Sequence, residues 1–86
     1  MYTLVYTKKA VEDIAKLKAI GLNKKAKALI ELIKENPYQS PPSFEKLRGD
    51  LRGSFSRRLN VQHRLVYEID EEAKTIKILR MWTHYE

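Results

Sequence analysis

The first half of the chain carries hydrophobic residues at helical spacing. After a β-branched and aromatic run at residues 2–6, which predicts a short strand, apolar side chains recur every three or four positions from Lys8 to Ile20. This is the period of an amphipathic helix. Thr7 stands at the position of an N-cap, and Gly21 supplies a C-terminal stop. The apolar stripe expected to face the core is Val11, Ile14, Leu17 or the stem of Lys18, and Ile20.

A second and clearer stripe follows. Residues 22–33 again have the pattern of an amphipathic helix. Apolar side chains would lie on one face of this helix, and mostly lysine and glutamate on the remaining surface. Asn36-Pro37 ends it, because proline disfavours helical conformation in the preceding residue. The short linker between the two helices predicts an antiparallel hairpin that lies on a sheet. The second stripe consists of Leu22, Ala26, Leu29, Ile30 and Ile33.

The second half of the chain favours strands. Residues 38–43 include two prolines and form a loop by composition, whereas segments 54–59, 61–69 and 75–82 have the β-branched, aromatic or alternating character of strands. Alternation sends successive side chains to opposite faces of a sheet, so Arg64 is predicted to be displayed rather than buried. The opposite, apolar face of the same strand is His63, Leu65, Tyr67 and Ile69.

The order of these elements predicts the fold class. An N-terminal strand, two helices and a meander of strands make one α+β domain over residues 1–86, with the helix hairpin packed on a mostly antiparallel, twisted sheet. A chain of 86 residues suits one modest core.

The charge balance favours acidic partners. Seventeen Lys and Arg against eleven Asp and Glu give a formal net charge of +6 at pH 7, which attracts polyanions such as nucleic acid or an acidic protein. A solvated basic surface without a specific partner explains the same numbers. Charge alone therefore does not choose a function.

Composition also excludes several kinds of site. The absence of cysteine rules out disulfides and thiolate metal sites, two histidines at positions 63 and 84 make no zinc pattern, and three glycines match no nucleotide-binding loop. We therefore expect neither a metal nor another cofactor. No signal peptide is recognisable, and no segment approaches the roughly 20 apolar residues of a membrane span. These features predict a cytoplasmic protein with no membrane association.

Separated motifs in the second half of the chain are recognisable. They are Phe44-Glu45-Lys46-Leu47, Ser56-Arg57-Arg58 followed by His63-Arg64-Leu65-Val66-Tyr67, and Thr83-His84-Tyr85. In this order the motifs resemble the Txe/YoeB family of toxins, within the RelE/ParE superfamily of bacterial toxin-antitoxin modules. The resemblance implies a RelE/ParE-like fold. It also implies a ribosome-dependent mRNA endonuclease that works in the decoding site and is neutralised by a YefM/Phd-like antitoxin.

Carried over position by position, the resemblance assigns catalytic roles to Glu45, Arg64, His84 and Tyr85. Metal-free RNA cleavage needs a base for the 2'-hydroxyl, an acid for the departing 5'-oxygen and positive charge beside the phosphate. Our hypothesis makes Glu45 the base, His84 the acid and Arg64 the phosphate clamp, with base and acid open to exchange. Tyr85 would orient or stack. The products would be a 2',3'-cyclic phosphate and a 5'-hydroxyl.

The resemblance also assigns RNA binding to further basic residues. Arg57 and Arg58 match an arginine pair that contributes to RNA binding, and Arg48 occupies a position where the family tends to be basic. Because adjacent strand residues point to opposite faces, only one of Arg57 and Arg58 is expected to reach RNA, while the other supports the fold or binds antitoxin. His63 either packs on the hairpin or aids phosphate contact.

Other interpretations stay open at this point. Arg64 could form an ordinary cross-strand ion pair with Glu68 or with a group near Asp70. A ParE-like toxin that acts on DNA gyrase without nuclease activity, or a basic RNA-binding module without catalysis, would also fit a small basic domain. For the mRNA endonuclease, the expected partners are ribosome-bound mRNA, ribosomal RNA and an acidic antitoxin segment that covers the site around Arg64 and His84-Tyr85. A homodimer is left open.

Overall fold

The computed structural model describes residues 1–47 and 53–82. Its elements are β1 (Thr3–Tyr6), α1 (Lys8–Ala19), α2 (Asn23–Glu35), β2 (Glu45–Lys46), β3 (Ser54–Arg58), β4 (Arg64–Asp70) and β5 (Thr75–Arg80). The strands form one sheet in the order β1-β5-β4-β3-β2. Strand β1 runs parallel to β5, and the other neighbouring pairs are antiparallel. The predicted α+β class and the mostly antiparallel sheet are confirmed.

Helix α1 begins and ends as the sequence predicts. The Thr7 hydroxyl accepts a hydrogen bond from the backbone N–H of Ala10 at 3.1 Å and donates one to the carbonyl of Leu79 at 2.7 Å. It therefore caps the helix and fastens it to the end of β5. Beyond the helix, Gly21 has a φ of +77°, the left-handed conformation that glycine adopts readily at helix C-termini.

The predicted apolar stripe of α1 is wrong at most of its positions. The residues that the helix buries are Ala10, Asp13 and Leu17, whereas Val11, Ile14 and Ile20 are exposed. The buried face is thus rotated toward Asp13, because the Asp13 carboxylate is hydrogen-bonded to groups at the end of β5. The spacing of apolar residues gives no sign of such a buried polar contact.

Helix α2 follows its prediction closely. Ala26, Ile30 and Ile33 are buried, and Leu22 and Leu29 pack partly buried against the core. The helix stops before Asn36-Pro37. Helices and sheet share one core, to which the sheet side contributes Leu59, Leu65, Tyr67, Ile76, Ile78 and Met81. Neither helix within the described ranges is long and apolar enough to cross a membrane.

The β3–β4 hairpin turns through residues 59–63. The side-chain oxygen of Asn60 accepts hydrogen bonds from the backbone N–H groups of Gln62 at 2.8 Å and His63 at 2.6 Å, which is the local turn chemistry that asparagine favours. One departure from the predicted alternation is Val66, which is buried although it was placed on the polar face. The pairing of β4 with β5 shifts register beside it.

Candidate active site

Two candidate catalytic residues that are separated in the sequence meet across strand β3. Glu45 on β2 lies opposite Ser56 on β3, and Arg58 on β3 lies opposite Arg64 on β4. Directly opposite residues share a face, as do residues two apart on one strand. All four side chains therefore lie on the same face of the sheet. Leu65, which follows Arg64, belongs to the core beneath the helices, so this face points away from them.

The shared face holds a small pocket of about 200 Å³. Such a volume has room for several water molecules, each of which occupies about 30 Å³ in the liquid. The residues that line it are Ser43, Phe44, Glu45, Ser56, Arg58 and Arg64. The pocket thus combines two guanidinium groups with one carboxylate, an arrangement suited to binding an anion beside a group able to exchange a proton.

The carboxylate and one guanidinium form a loose ion pair. Arg64 Nη1 lies 3.6 Å from Glu45 Oε1, with side-chain exposures of 21% and 67% respectively. This separation is too long for a hydrogen bond, and exposed pairs of this kind contribute little to stability. Arg64 is more covered than predicted, because it lies within the pocket rather than on an open face. Glu45 is an acidic neighbour of Arg64 in the pocket, whereas the alternative interpretation placed its ion pair with Glu68 or near Asp70.

Ser56 is the functional candidate that the sequence analysis did not single out. It is 1% exposed, and its hydroxyl oxygen has no hydrogen-bond partner among the described residues. The available signal was its place at the head of the Ser56-Arg57-Arg58 motif. The structure shows that this serine is the residue of β3 opposite Glu45.

Of the two adjacent arginines, Arg57 is the one that supports the fold. Its guanidinium is buried and donates hydrogen bonds to the carbonyls of Pro42 at 2.6 Å and Pro37 at 2.9 Å, and to the Tyr67 hydroxyl at 2.9 Å. Its Cζ atom also lies 4.8 Å from the centre of the Phe44 ring. Burial leaves Arg57 almost no surface for contact with RNA. It instead ties the loop that leads into Glu45 to the sheet.

A second cluster holds the start of the same loop. The hydroxyls of Tyr38 and Tyr2 both donate hydrogen bonds to the Glu71 carboxylate, which also pairs with Lys74 at 3.0 Å. The hydrogen bond from Tyr38, followed by those from Lys74 and Tyr2, lowers the pKa of Glu71 to about 2. The same bond to Glu71 raises the pKa of Tyr38 to about 12. Together with the hydrogen bonds from Arg57 to the Pro37 and Pro42 carbonyls, this cluster anchors residues 37–42 at both ends.

The sequence left two roles open for His63, packing on the hairpin or contact with phosphate, and the structure shows it packed. It is buried, and its ring stacks on Trp82 with centroids 4.0 Å apart and an angle of 24° between the planes. It does not line the pocket that contains Glu45 and Arg64. The contact instead connects the hairpin turn to the segment that follows β5.

Asp13 holds that same segment from the helix side. Its carboxylate accepts hydrogen bonds from Arg80 Nε at 2.9 Å and from the backbone N–H groups of Met81 at 2.9 Å and Trp82 at 3.2 Å. Burial alone would raise the pKa of Asp13, but these donors outweigh it and lower the pKa below the ordinary value of 3.8. The chain is therefore fixed at Trp82, two positions before His84 in the sequence.

Three sequence-predicted site residues lie outside the described ranges. They are Arg48, His84 and Tyr85. Of the remaining candidates, the structure brings together Glu45, Arg58 and Arg64 and separates Arg57 and His63 from them. Within residues 1–47 and 53–82, no group of three or more His, Cys, Asp or Glu side chains is placed to hold a metal ion.

Comparison with known proteins decides the family. Residues 6–85 match the model of the YoeB-like toxins of bacterial type II toxin-antitoxin systems. The chain belongs to this family. It is 35% identical over 65 residues to the Toxin YoeB of Synechocystis sp., a match that covers 76% of this chain and 73% of that protein.

Solved structures of YoeB proteins support the same assignment. The chain is similar to YoeB in the YoeB-YefM complex from Staphylococcus aureus, with a TM-score of 0.81 and 32% identity over 99% of each chain. It is similar also to the YoeB dimer from that organism, with a TM-score of 0.80 and 31% identity over 98% of each chain. The RelE/ParE-like architecture predicted for this family member is therefore confirmed.

Proposed function

We propose that this YoeB-family toxin is a ribosome-dependent mRNA endonuclease that cuts in the decoding site without a metal ion. The single observation that carries the proposal is the meeting of Glu45 and Arg64 in one small pocket, 3.6 Å apart, although 18 residues separate them in the chain. A carboxylate beside a guanidinium supplies two of the three groups that attack by a ribose 2'-hydroxyl requires.

Each of the four candidate catalytic residues has a role in this reaction. Glu45, whose side chain is largely exposed, removes the 2'-hydroxyl proton. Arg64 contacts the phosphate on which negative charge accumulates, and His84 protonates the departing 5'-oxygen. Tyr85 orients or stacks on the substrate. The reaction leaves a 2',3'-cyclic phosphate and a 5'-hydroxyl, and the base and acid roles of Glu45 and His84 stay open to exchange.

The arginines of the pocket favour a bound anion. Arg58 and Arg64 lie directly opposite each other on neighbouring strands, and like charges in such positions repel. A phosphodiester placed between them would relieve this repulsion and accept charge-assisted hydrogen bonds from both guanidinium groups. Arg58 is therefore the RNA-binding member of the arginine pair, and Arg48 adds a further basic residue from the segment after β2.

The partners follow from the same surface. Toxin YoeB from S. aureus forms a complex with YefM, and we extend that partnership to this chain. An acidic, initially disordered segment of a YefM/Phd-like antitoxin would neutralise the pocket arginines and cover the site around Arg64 and His84-Tyr85. A YoeB from the same organism forms a dimer, and pairing of this chain with itself stays a prediction. Its substrate, mRNA on the ribosome, would place it in the cytoplasm.

One assay tests the nuclease proposal. A defined mRNA is translated with the protein present, and new 5' ends are mapped. Wild-type protein should cut at codons in the decoding site, and Glu45→Gln should reduce the single-turnover rate by about 10²- to 10⁴-fold, the usual contribution of a general base. Arg64→Ala should lose a comparable amount, because it removes the principal charge at the phosphate.

A matched control separates catalysis from charge. Glu68 is another carboxylate, four positions after Arg64 on β4, and lies outside the pocket. Glu68→Gln should leave cleavage unchanged. If Glu45→Gln and Arg64→Ala cut as fast as Glu68→Gln, the proposed site is wrong. Intact message with bound protein would indicate an RNA-binding module, and gyrase-linked DNA damage a ParE-like toxin.

A further inference from the structure

An unsatisfied hydroxyl lies at the floor of the candidate active site. Ser56 is 1% exposed, its Oγ has no hydrogen-bond partner among the described residues, and the residue lines the pocket with Glu45, Arg58 and Arg64. Buried polar side chains in folded proteins are nearly always hydrogen-bonded. An exception in the middle of a strand therefore needs an explanation.

The sheet itself gives no reason for a serine at this position. Backbone pairing of β3 with β2 and β4 does not require a hydroxyl, and the same-face neighbour of Ser56 on β4 is Val66, which offers no polar atom. Alanine would fill the site without burying an unpaired group. Within the part of the chain that the structure describes, no contact offsets the free-energy cost of burying this hydroxyl.

The charged neighbours of Ser56 indicate which kind of ligand its hydroxyl would contact. Ser56 lies opposite Glu45, and Arg58 stands two positions along the same strand, directly opposite Arg64. The loosely paired side chains of Arg64 and Glu45 line the same pocket as Ser56, and Glu45 is largely exposed, which leaves it room to turn outward. An anion that enters between the arginines would then reach a hydrogen-bond donor that has no acceptor within residues 1–47 and 53–82.

We infer that Ser56 is a third phosphate-contacting residue, whose hydroxyl donates a hydrogen bond to a non-bridging oxygen of the scissile phosphodiester. This inference rests on the proposed nuclease function. Ser56 forms no bond to the substrate: the 2'-oxygen attacks phosphorus, the 5'-oxygen leaves, and the serine proton stays on Oγ. The hydrogen bond to a charged oxygen strengthens as negative charge accumulates in the transition state.

The first measurement is cleavage by Ser56→Ala. Single-turnover cutting of ribosome-bound mRNA should fall by roughly ten- to a hundredfold, the effect of losing one hydrogen bond to a charged group. The melting temperature should stay equal to that of the wild type or rise, since the variant removes an unpaired buried group. Ser54→Ala is the matched control: Ser54 is also a buried serine on β3, on the same face, but lies outside the pocket. It should cut at the wild-type rate.

A second measurement identifies the contacted atom. Synthetic mRNAs carry sulfur in place of one or the other non-bridging oxygen at the cut site, and sulfur is the weaker hydrogen-bond acceptor. One sulfur diastereomer should slow the wild type and Ser54→Ala by about tenfold more than it slows Ser56→Ala, because the two changes remove the same hydrogen bond and are not additive. The other diastereomer should slow all three proteins equally.

The outcomes separate this inference from the function on which it rests. If the wild type cuts and Glu45→Gln does not, but Ser56→Ala cuts at full rate or shows fully additive losses with both diastereomers, the Ser56 contact is refuted and the nuclease stands. If Ser56→Ala loses rate only together with its melting temperature, and shows no diastereomer coupling, the serine is structural and the inference fails. If the wild type makes no cut, both proposals fall.

Discussion

Arg57 and Arg58 are adjacent residues of one strand with different neighbours. Arg57 is buried beneath the Phe44 ring and bonded to backbone carbonyls at both ends of the 37–42 loop. Arg58 is exposed on the pocket face. The alternation of strand side chains accounts for the difference in direction. The loop packed against the sheet decides which arginine is buried.

This difference predicts opposite phenotypes. Arg57→Ala should lower the free energy of unfolding by about 2–4 kcal/mol, because it removes the hydrogen bonds that the buried guanidinium donates to the Pro42 and Pro37 carbonyls and to the Tyr67 hydroxyl. Arg58→Ala should change it by no more than about 0.5 kcal/mol. Urea denaturation of both variants measures the values. Equal stability of the two variants would contradict the structural role given to Arg57.

Sequence and structure agree unevenly at the level of single residues. The family resemblance selected Glu45 and Arg64, but spacing alone could not bring them together, because β2 has only two residues and no alternation from which to recognise it. Alternation correctly separated Arg57 from Arg58 without saying which was buried. Ser56 gave no signal beyond its motif, since a serine in a strand usually has an ordinary partner.

The helices and strands show where periodicity is sufficient and where it fails. Helix α2 was predicted closely because its whole inner face is apolar and packs on the core. Helix α1 was predicted with correct ends but a wrong face, because one of its three buried residues is an aspartate. Hydrophobic spacing cannot identify a buried charge whose partners, the Arg80 side chain and the backbone after β5, are distant in sequence.

The Asp13 contacts fasten α1 to the end of β5, and their stability should depend on pH. Asp13 has a lowered pKa in the folded protein, so its ionised form stabilises the fold at pH values above the unfolded pKa, near 3.8. That stabilisation is lost as pH falls through the lower, folded pKa. Asp13→Asn should cost about 2 kcal/mol at pH 7, as expected for hydrogen bonds that lose their charge.

The difference between wild type and Asp13→Asn should shrink as the pH falls below about 4, where the wild-type carboxyl also becomes neutral. Urea denaturation at several pH values measures this convergence. Glu12→Gln changes the neighbouring, exposed carboxylate of the same helix and should leave stability and its pH dependence nearly unchanged. A constant gap between wild type and Asp13→Asn down to pH 2 would show that the Asp13 charge is unimportant.

For the molecule as a whole, the sheet separates the lysines of the helices from the arginines of the pocket. The helices cover the face that contains the core, and the pocket with Arg58 and Arg64 opens on the other. The net charge of +6 by itself gave no indication of this division. Strand topology does, because it turns Arg64 away from the helices while Leu65 joins the core. Phosphate binding should therefore depend on which face carries a given charge.

Salt dependence tests this division. With Glu45→Gln to prevent cutting, the logarithm of affinity for single-stranded RNA should fall linearly with the logarithm of salt concentration, by about 0.7 for each neutralised phosphate. Adding Arg58→Ala should reduce that slope by about 0.7. Lys25→Ala removes one exposed charge from α2 and should leave the slope unchanged, because the helices lie on the other face of the sheet. Equal losses from both changes would mean that RNA binds the net charge rather than the pocket.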